Sequence, residues 1–246
     1  MRGGAETRLS AIALGFLALA AIYLFTFSGR SLVVQPFNIP SVAQEPTLLV
    51  GDYIFVSKSV YGYSRYSFPL ALIPIAGRVF ASQPERGDMV VFKYPIDNTT
   101  DYVKRIVGLP GDRIQMKEGV LYINDKAVPK QRVEDYIEEV GGQQHRVDQY
   151  RETLPNGVSY NVLDRDPEGS LDTTQVFVVP EGHYFMMGDN RDNSADSRAD
   201  VGYVPFENLV GKVEFLFYST YGRSRLWEFW KWPTDIRYER IGKIIR

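Results

Sequence analysis

The stretch Asp101–Ile114, DYVKRIVGLPGDRI, decides how the rest of the chain is interpreted. Its first half is rich in β-formers, and its second half places Pro and Gly where a type II turn prefers them, so it predicts a strand followed by a tight turn. Lys104 and Arg105 lie inside the apolar run. Burial there would disfavour an ammonium, so we expect a lowered pKa for Lys104 and a neutral amine available as a general base. The alternative is a lysine that extends from a sheet edge into solvent and has no chemical role.

The residues before and after this stretch predict further hairpins. Met89–Lys93 resembles a buried strand, and the turn sequence DNTT at residues 97–100 would connect it to the strand that holds Lys104. Asn124-Asp125 and the sequence LPNG at residues 154–157 are further turn signals. The sequence therefore predicts a mostly β protein with an antiparallel sheet body.

The region Gln115–Thr174 is more polar than the sequence on either side of it. We interpret it as an inserted β-ribbon subdomain between two parts of one core, residues 29–114 and 175–246. Within it, Glu134–Gln149 is polar enough to predict a short helix or a mobile loop.

Composition excludes several classes of site. The chain has 246 residues, a net charge of -2, 2 histidines and no cysteine. The charge gives no basis for nucleic-acid binding, and the lack of cysteine excludes disulfides, cysteine-zinc sites and a cysteine nucleophile. Neither His145 nor His183 lies in a metal-binding motif, so we expect no metal and no cofactor. A Ser-His-Asp triad would have to use one of these two histidines.

The N-terminal segment Ala11–Phe27 is uncharged and would span about 25 Å as a helix, near the short limit for crossing a bilayer. A cleaved signal peptide is the alternative, but the sequence FSGR at residues 27–30 is a poor cleavage site. We expect a cytoplasmic N-terminus at residues 1–9, a transmembrane anchor at residues 10–28 and an exported body.

Two further segments stand out. The C-terminal stretch contains Trp227, Phe229, Trp230 and Trp232, which is typical either of a membrane interface or of the edge of a hydrophobic core. The run GDNRDNSADSR at residues 188–198 is almost free of apolar residues, as in a solvated loop or a calcium loop. Because the EF-hand spacing is absent, we do not expect calcium there.

Three blocks together carry a resemblance: PSVAQEPTLLVGDYIFVSK at 40–58, YVKRIVGLPGD at 102–112 and GDNRDNSADSR at 188–198, with RGDMVVF at 86–92 between the first two. With the N-terminal anchor, they resemble bacterial signal peptidase I, a Ser/Lys membrane protease that removes signal peptides from exported pre-proteins. The resemblance implies location in the bacterial inner membrane, with signal peptides and the lipid bilayer as partners.

One position departs from the family pattern. The family's first block reads Pro-Ser-Gly-Ser-Met-x-Pro-Thr, and its second serine is the nucleophile. Ala43 stands at that position here, between Val42 and Gln44 in place of the Gly and Met. Since alanine has no hydroxyl, the attacking atom is missing from an otherwise matching block.

The resemblance implies roles for the other matched residues. Lys104 would be the general base, Ser41 would supply a hydroxyl to the oxyanion hole, and Ser194 would orient the lysine. Supporting ion pairs would join Asp189 to Arg105 and Asp196 to Arg198.

The substrate groove is also implied by the resemblance, as a site where an extended peptide adds a strand to the sheet. The positions that match its lining, each of which could equally be ordinary core, are Phe37, Ile39, Pro40, Gln44, Leu48, Tyr102 and Val103.

Three functional hypotheses follow from Ala43. The chain could be of signal peptidase I type with peptidase activity absent or very low and signal-peptide binding retained. It could be active with Ser41 as a displaced nucleophile, although a shift of two residues moves the attacking oxygen by about 6–7 Å in an extended chain. It could also be a non-enzymatic binding or scaffold protein that keeps the fold.

Overall fold

A computed structural model describes residues 33–68, 75–140, 143–221 and 227–245 of the chain. The predicted anchor at residues 10–28 lies outside these ranges. Among the residues described, no helix has the length and apolar character needed to span a bilayer. The described part is mostly β and antiparallel, so this part of the predicted fold class is confirmed.

Strands make up most of the described elements, and the short α-helix α1 covers Trp232–Asp235. The strands of the first half are β1 (Val34–Asn38), β2 (Asp52–Ser57), β3 (Tyr63–Ser64), β4 (Arg78–Val79), β5 (Met89–Lys93), β6 (Asp101–Gly108), β7 (Arg113–Lys117) and β8 (Val120–Ile123). Those of the second half are β9 (Lys126–Ala127), β10 (Lys130–Arg132), β11 (Tyr136–Val140), β12 (Gln143–Thr153), β13 (Ser159–Asp164), β14 (Phe177–Val178), β15 (His183–Met187), β16 (Val204–Pro205) and β17 (Leu209–Ser219).

The largest sheet has seven strands in the order β1-β2-β17-β5-β6-β15-β16. The predicted hairpin of β5 and β6 is confirmed, with Val90 opposite Lys104 and Met89 opposite Arg105. β15 pairs with the other side of β6, with an irregularity between Phe185 and Met186. The strand that carries Lys104 is therefore internal, which excludes the alternative of a lysine extending from a sheet edge.

The turn after β6 has the predicted geometry. Gly111 has a φ of 85°, a conformation that glycine adopts without strain, and Asp112 N donates to Leu109 O at 3.0 Å. The Asp112 carboxylate accepts from Leu109 N at 2.6 Å and from Arg86 at 2.7 Å. These bonds fix the direction in which the chain leaves the central sheet.

The polar region after this turn forms two smaller sheets. One has the order β14-β7-β8-β9, and the other pairs β12 with β10, β11 and β13. Glu134–Gln149 was expected to be a short helix or a mobile loop, and that expectation is wrong. Most of it belongs to an antiparallel hairpin of β11 and β12, in which Tyr136 lies opposite Val147. Main-chain pairing supplies the hydrogen bonds there, so the strands form without an apolar face.

Three apolar clusters hold the sheets together. The cluster next to the end of β6 joins both polar-region sheets to β15, and its buried members are Val107, Ile114, Met116, Leu121, Ile123, Val128, Leu154, Tyr160, Val162, Val179, Phe185 and Met187. The other two clusters involve β5 and include Val91 and Val90 respectively. Side chains of neighbouring strand residues point to opposite sides, so β5 contributes to the core on both faces.

Candidate active site

The three matched blocks meet at the side chain of Gln44. Its Nε2 donates to Val103 O on β6 at 3.1 Å and lies 3.3 Å from Met89 Sδ, and its Oε1 accepts from Asp189 N at 2.8 Å. The 3₁₀ turn Val42–Gln44 is thereby attached both to the strand of Lys104 and to the loop that follows β15.

Ala43 lies half-buried at the centre of that turn. Its carbonyl accepts from Asn190 N at 3.2 Å, and Val42 O accepts from Asn190 Nδ2 at 3.0 Å. A Cβ built on Gly188 would clash with both Ser194 Oγ and Ala43 O. Residues 43 and 194 therefore approach the same point, and only a glycine at position 188 leaves room for both.

Two serine hydroxyls lie at this site in different environments. Ser194 is buried, and its Oγ makes no hydrogen bond to any residue that the structure describes. Ser41 is exposed and precedes the turn in an extended conformation, with no side-chain capping bond. The Ser41 hydroxyl is thus accessible to a ligand, whereas Ser194 faces the protein interior.

Lys104 is only 4 % exposed. Burial lowers the pKa of its amine from 10.5 to about 8, although the nearby carboxylates of Asp196 and Asp189 act in the opposite direction. The predicted direction of the pKa shift is confirmed. At pH 7 about a tenth of such an amine is neutral, which is enough for a general base.

The two expected ion pairs are present and buried. Arg105 makes a bidentate contact to Asp189 at 2.9 and 2.8 Å and also donates to Gly87 O at 2.8 Å. Arg198 contacts Asp196 at 3.0 and 2.9 Å. Burial opposes ionisation of Asp196, but Arg198 outweighs it and the pKa of Asp196 is lowered. Asp196 also accepts from Gly188 N at 3.0 Å, so this pair helps to position the loop beside Ala43.

A third buried charge pair was missed from the sequence. Arg191 contacts Glu152 of β12 at 2.8 and 2.5 Å, and Tyr160 OH donates to the same carboxylate at 3.0 Å. The Arg105 guanidinium lies 4.0 Å from the centre of the Tyr160 ring. The polar region therefore contributes an internal counter-ion to the loop. Arg191 belongs to a matched block and could have been singled out, whereas Glu152 carries no signal in a polar strand.

Glu45 was also missed. It follows the turn, is buried, and has one carboxylate oxygen without a hydrogen-bond partner among the residues described. Burial, together with the charge of Glu138, raises the pKa of Glu45 to about 7, although Arg165 and two C-terminal arginines oppose this. Glu45 thus titrates close to neutral pH beside the candidate site.

The expected groove residues lie in several environments. Ile39 and Leu48 are buried in one apolar cluster, against which Phe37 and Val103 pack half-buried. The half-buried Tyr102 stacks on Tyr94 at 4.9 Å, Pro40 is exposed and Gln44 is buried. Their role in substrate binding stays a prediction.

No metal or cofactor was expected. Among the described residues, one group of carboxylates is close enough to share an ion, formed by Asp164, Asp172 and Asp192. Lys130 contacts Asp164 there at 2.6 Å, so the cluster already contains a compensating charge.

Comparison with known proteins relates the chain to signal peptidases. The family model for signal peptidase, peptidase S26, matches residues 10–218. Signal peptidase I of Rickettsia typhi is 47% identical over 199 residues, and that of Rickettsia canadensis is 46% identical over 202 residues; each match covers 78% of this chain and 74% of the relative. A crystal structure of a signal peptidase I from Enterococcus faecalis aligns with 25% identity and a TM-score of 0.32, over 53% of this chain and 97% of that one. The chain belongs to the signal peptidase family of proteases, peptidase S26.

Proposed function

We propose that this chain binds the signal peptides of exported pre-proteins and that its own peptidase activity is absent or very low. One observation carries the proposal: the segments joined at the 42–44 turn hold a buried amine of lowered pKa, a buried hydroxyl without a partner among the described residues and two buried ion pairs, whereas residue 43 is alanine. The assembly is that of a Ser/Lys protease without its attacking atom.

The chemistry of the site follows from these groups. With serine at position 43, the Lys104 amine would accept the hydroxyl proton as the oxygen attacks the scissile carbonyl. The Ser41 hydroxyl would donate to the developing oxyanion, a contact worth a few kcal/mol. With Ala43, a peptide can be bound and its carbonyl polarised, but no acyl-enzyme can form. Loss of a nucleophile leaves only the residual rate that binding and the oxyanion hole supply.

The proposal includes a membrane location. Residues 10–28 would anchor the chain once in the bacterial inner membrane, with a cytoplasmic N-terminus and an exported body. Trp227, Phe229 and Trp230 are each about two-thirds exposed, which supports contact with the lipid interface rather than with the core. Such contact would bring the site close to signal peptides that are still embedded in the bilayer.

Cleavage of a pre-protein by the detergent-solubilised chain tests the proposal. We expect no product from the unchanged chain, recovery of cleavage by about 10³-fold or more in A43S, and loss again in A43S/K104M. The unchanged chain should bind a labelled signal peptide and protect it from cleavage by A43S. Absence of both binding and recovery would instead support the scaffold hypothesis.

The exposed Ser41 hydroxyl favours a second candidate, in which Ser41 is the nucleophile. The two-residue distance from position 43 argues against this role, because it moves the attacking oxygen by about 6–7 Å in an extended chain. Cleavage by the unchanged chain that disappears in S41A would establish this candidate.

A further inference from the structure

We propose that Gln44 is a positioning residue, whose side-chain amide holds residue 43 in place against both the strand of Lys104 and the loop that carries Ser194. This inference rests on the proposed function of the site. It also differs from the expectation that Gln44 lines the substrate groove.

The first step is the burial of the amide. Gln44 is 2 % exposed, so its polar atoms are available to the protein and not to a peptide. Its Nε2 donates to Val103 O and its Oε1 accepts from Asp189 N. Buried polar groups are retained where they are hydrogen-bonded, and this amide uses both its donor and its acceptor.

The second step concerns what the two backbone partners control. Val103 O belongs to the peptide unit that leads into Lys104, and because a peptide unit is planar, holding its oxygen also orients the start of Lys104. Asp189 N follows Gly188, whose own N–H donates to Asp196. One side chain therefore connects residue 43 with the base and with the loop that contains Ser194.

The third step is chemical. The family pattern has methionine at this position, and a thioether can neither donate to a carbonyl nor accept strongly from an N–H. A glutamate would keep an acceptor for Asp189 N but would place a negative oxygen against Val103 O. Among these three side chains, only the amide satisfies both backbone groups at once.

The test uses the full chain with A43S as the parent and compares Q44L with the matched control N208L. Asn208 is also 2 % exposed, and its Nδ2 donates to Lys93 O at 2.9 Å and to Asn98 Oδ1 at 2.8 Å, at a turn that contributes no residue to the candidate site. Both variants lose buried amide bonds, so a merely structural effect would appear equally in the two melting temperatures.

We expect A43S/Q44L to lose about 100-fold in kcat, because a misplacement of about 1 Å is enough for a loss of that size. KM should change by no more than about threefold, since the substrate does not contact the amide. A43S/N208L should keep kcat within about threefold of A43S. A43S/Q44E keeps the shape of the side chain and replaces A43S/Q44L in the comparison with A43S/N208L if Q44L does not fold. We expect its loss of kcat to be smaller than the loss in A43S/Q44L.

A second readout does not depend on restored cleavage. In the unchanged Ala43 chain, Q44L should admit water beside the amine and raise the pKa of Lys104 towards 10.5, while N208L should leave it unchanged. If A43S proves inactive, the proposed function fails and this titration alone decides the role of Gln44. An equal effect of Q44L and N208L on kcat, together with an unchanged Lys104 titration, would overturn the inference.

Discussion

Lys104 and Arg105 are neighbours on β6, and both are buried, yet their environments act in opposite directions. Burial lowers the pKa of Lys104 to about 8, and none of the ion pairs among the described residues involves it. Burial also opposes the charge of Arg105, but the bidentate contact to Asp189 outweighs it and raises the pKa. The strand thus contains one cation that can lose its proton and one that cannot.

The difference follows from strand geometry. Successive side chains point to opposite faces, so Lys104 and Arg105 have different direct contacts, although the charge of Asp189 acts on both. Arg105 meets the Asp189 carboxylate, Gly87 O and the Tyr160 ring. We infer that one face of β6 holds the architecture together and the other carries the chemistry. D189N and K104M test the two sides of that comparison, and E45Q and R132A give reference effects away from β6.

The largest effect is expected for D189N, which keeps the shape of the side chain but removes its charge beside a fully buried guanidinium. Loss of one partner of a buried pair destabilises by about 3 to 5 kcal/mol. Urea unfolding of the full chain in detergent measures the loss. An unfolding free energy equal to that of the parent would show that the Arg105 side is not a structural pair.

The second prediction concerns the lysine side. The folded pKa of Lys104 lies below its unfolded value. The buried ammonium therefore destabilises the folded state fully below pH 8, and this destabilisation disappears as the pH rises to 10.5. The free energy of unfolding of the parent, relative to K104M, should therefore rise by about 3 kcal/mol across that window. Other lysines titrate equally in both proteins and cancel. A difference independent of pH would contradict a lowered pKa.

A pH dependence of the opposite sign is expected for E45Q. The folded pKa of Glu45 is raised to about 7, so the parent is most stable relative to E45Q below pH 4.5 and loses that advantage as the pH rises to 7. Melting temperatures of the two proteins at pH 4.5 and pH 8 measure the change. An unchanged difference between the two pH values would show that Glu45 is ionised normally.

The smallest effect is expected for R132A. Arg132 contacts Asp135 at 2.8 Å and Asp148 at 2.6 Å, but it lies on the exposed surface of β10. Water and salt screen such a pair, so its removal should change stability far less than D189N does. The same urea experiment measures the loss of unfolding free energy. A loss as large as that of D189N would show that burial does not explain why the Arg105–Asp189 pair contributes so much to stability.

The parts of the fold that local chemistry determines were predictable. The DNTT turn and the LPGD turn identified β6 and its hairpin, because proline fixes φ, glycine accepts a positive φ, and asparagine and aspartate side chains bond to nearby backbone. The direction of the Lys104 pKa shift was predictable for a similar reason, since apolar neighbours on the same strand indicate burial.

Features that depend on distant partners were not predictable. Glu134–Gln149 lacks an alternating pattern, and the β11–β12 hairpin within it is held by main-chain pairing. The Glu152–Arg191 pair joins two segments that only the folded chain brings together. Gln44 was expected to line a groove because of its place in a motif, whereas its amide hydrogen-bonds to the backbone of Val103 and Asp189 in the fold.

The most direct measurement is the titration of the Lys104 amine in the unchanged full chain, by NMR of labelled lysine with K104M used to assign the signal. Our account predicts a pKa of about 8, because the amine is buried and the neighbouring carboxylates of Asp196 and Asp189 only partly offset that burial. A value near 10.5, the ordinary value for lysine, would mean that the amine is solvated and cannot serve as the base at this site.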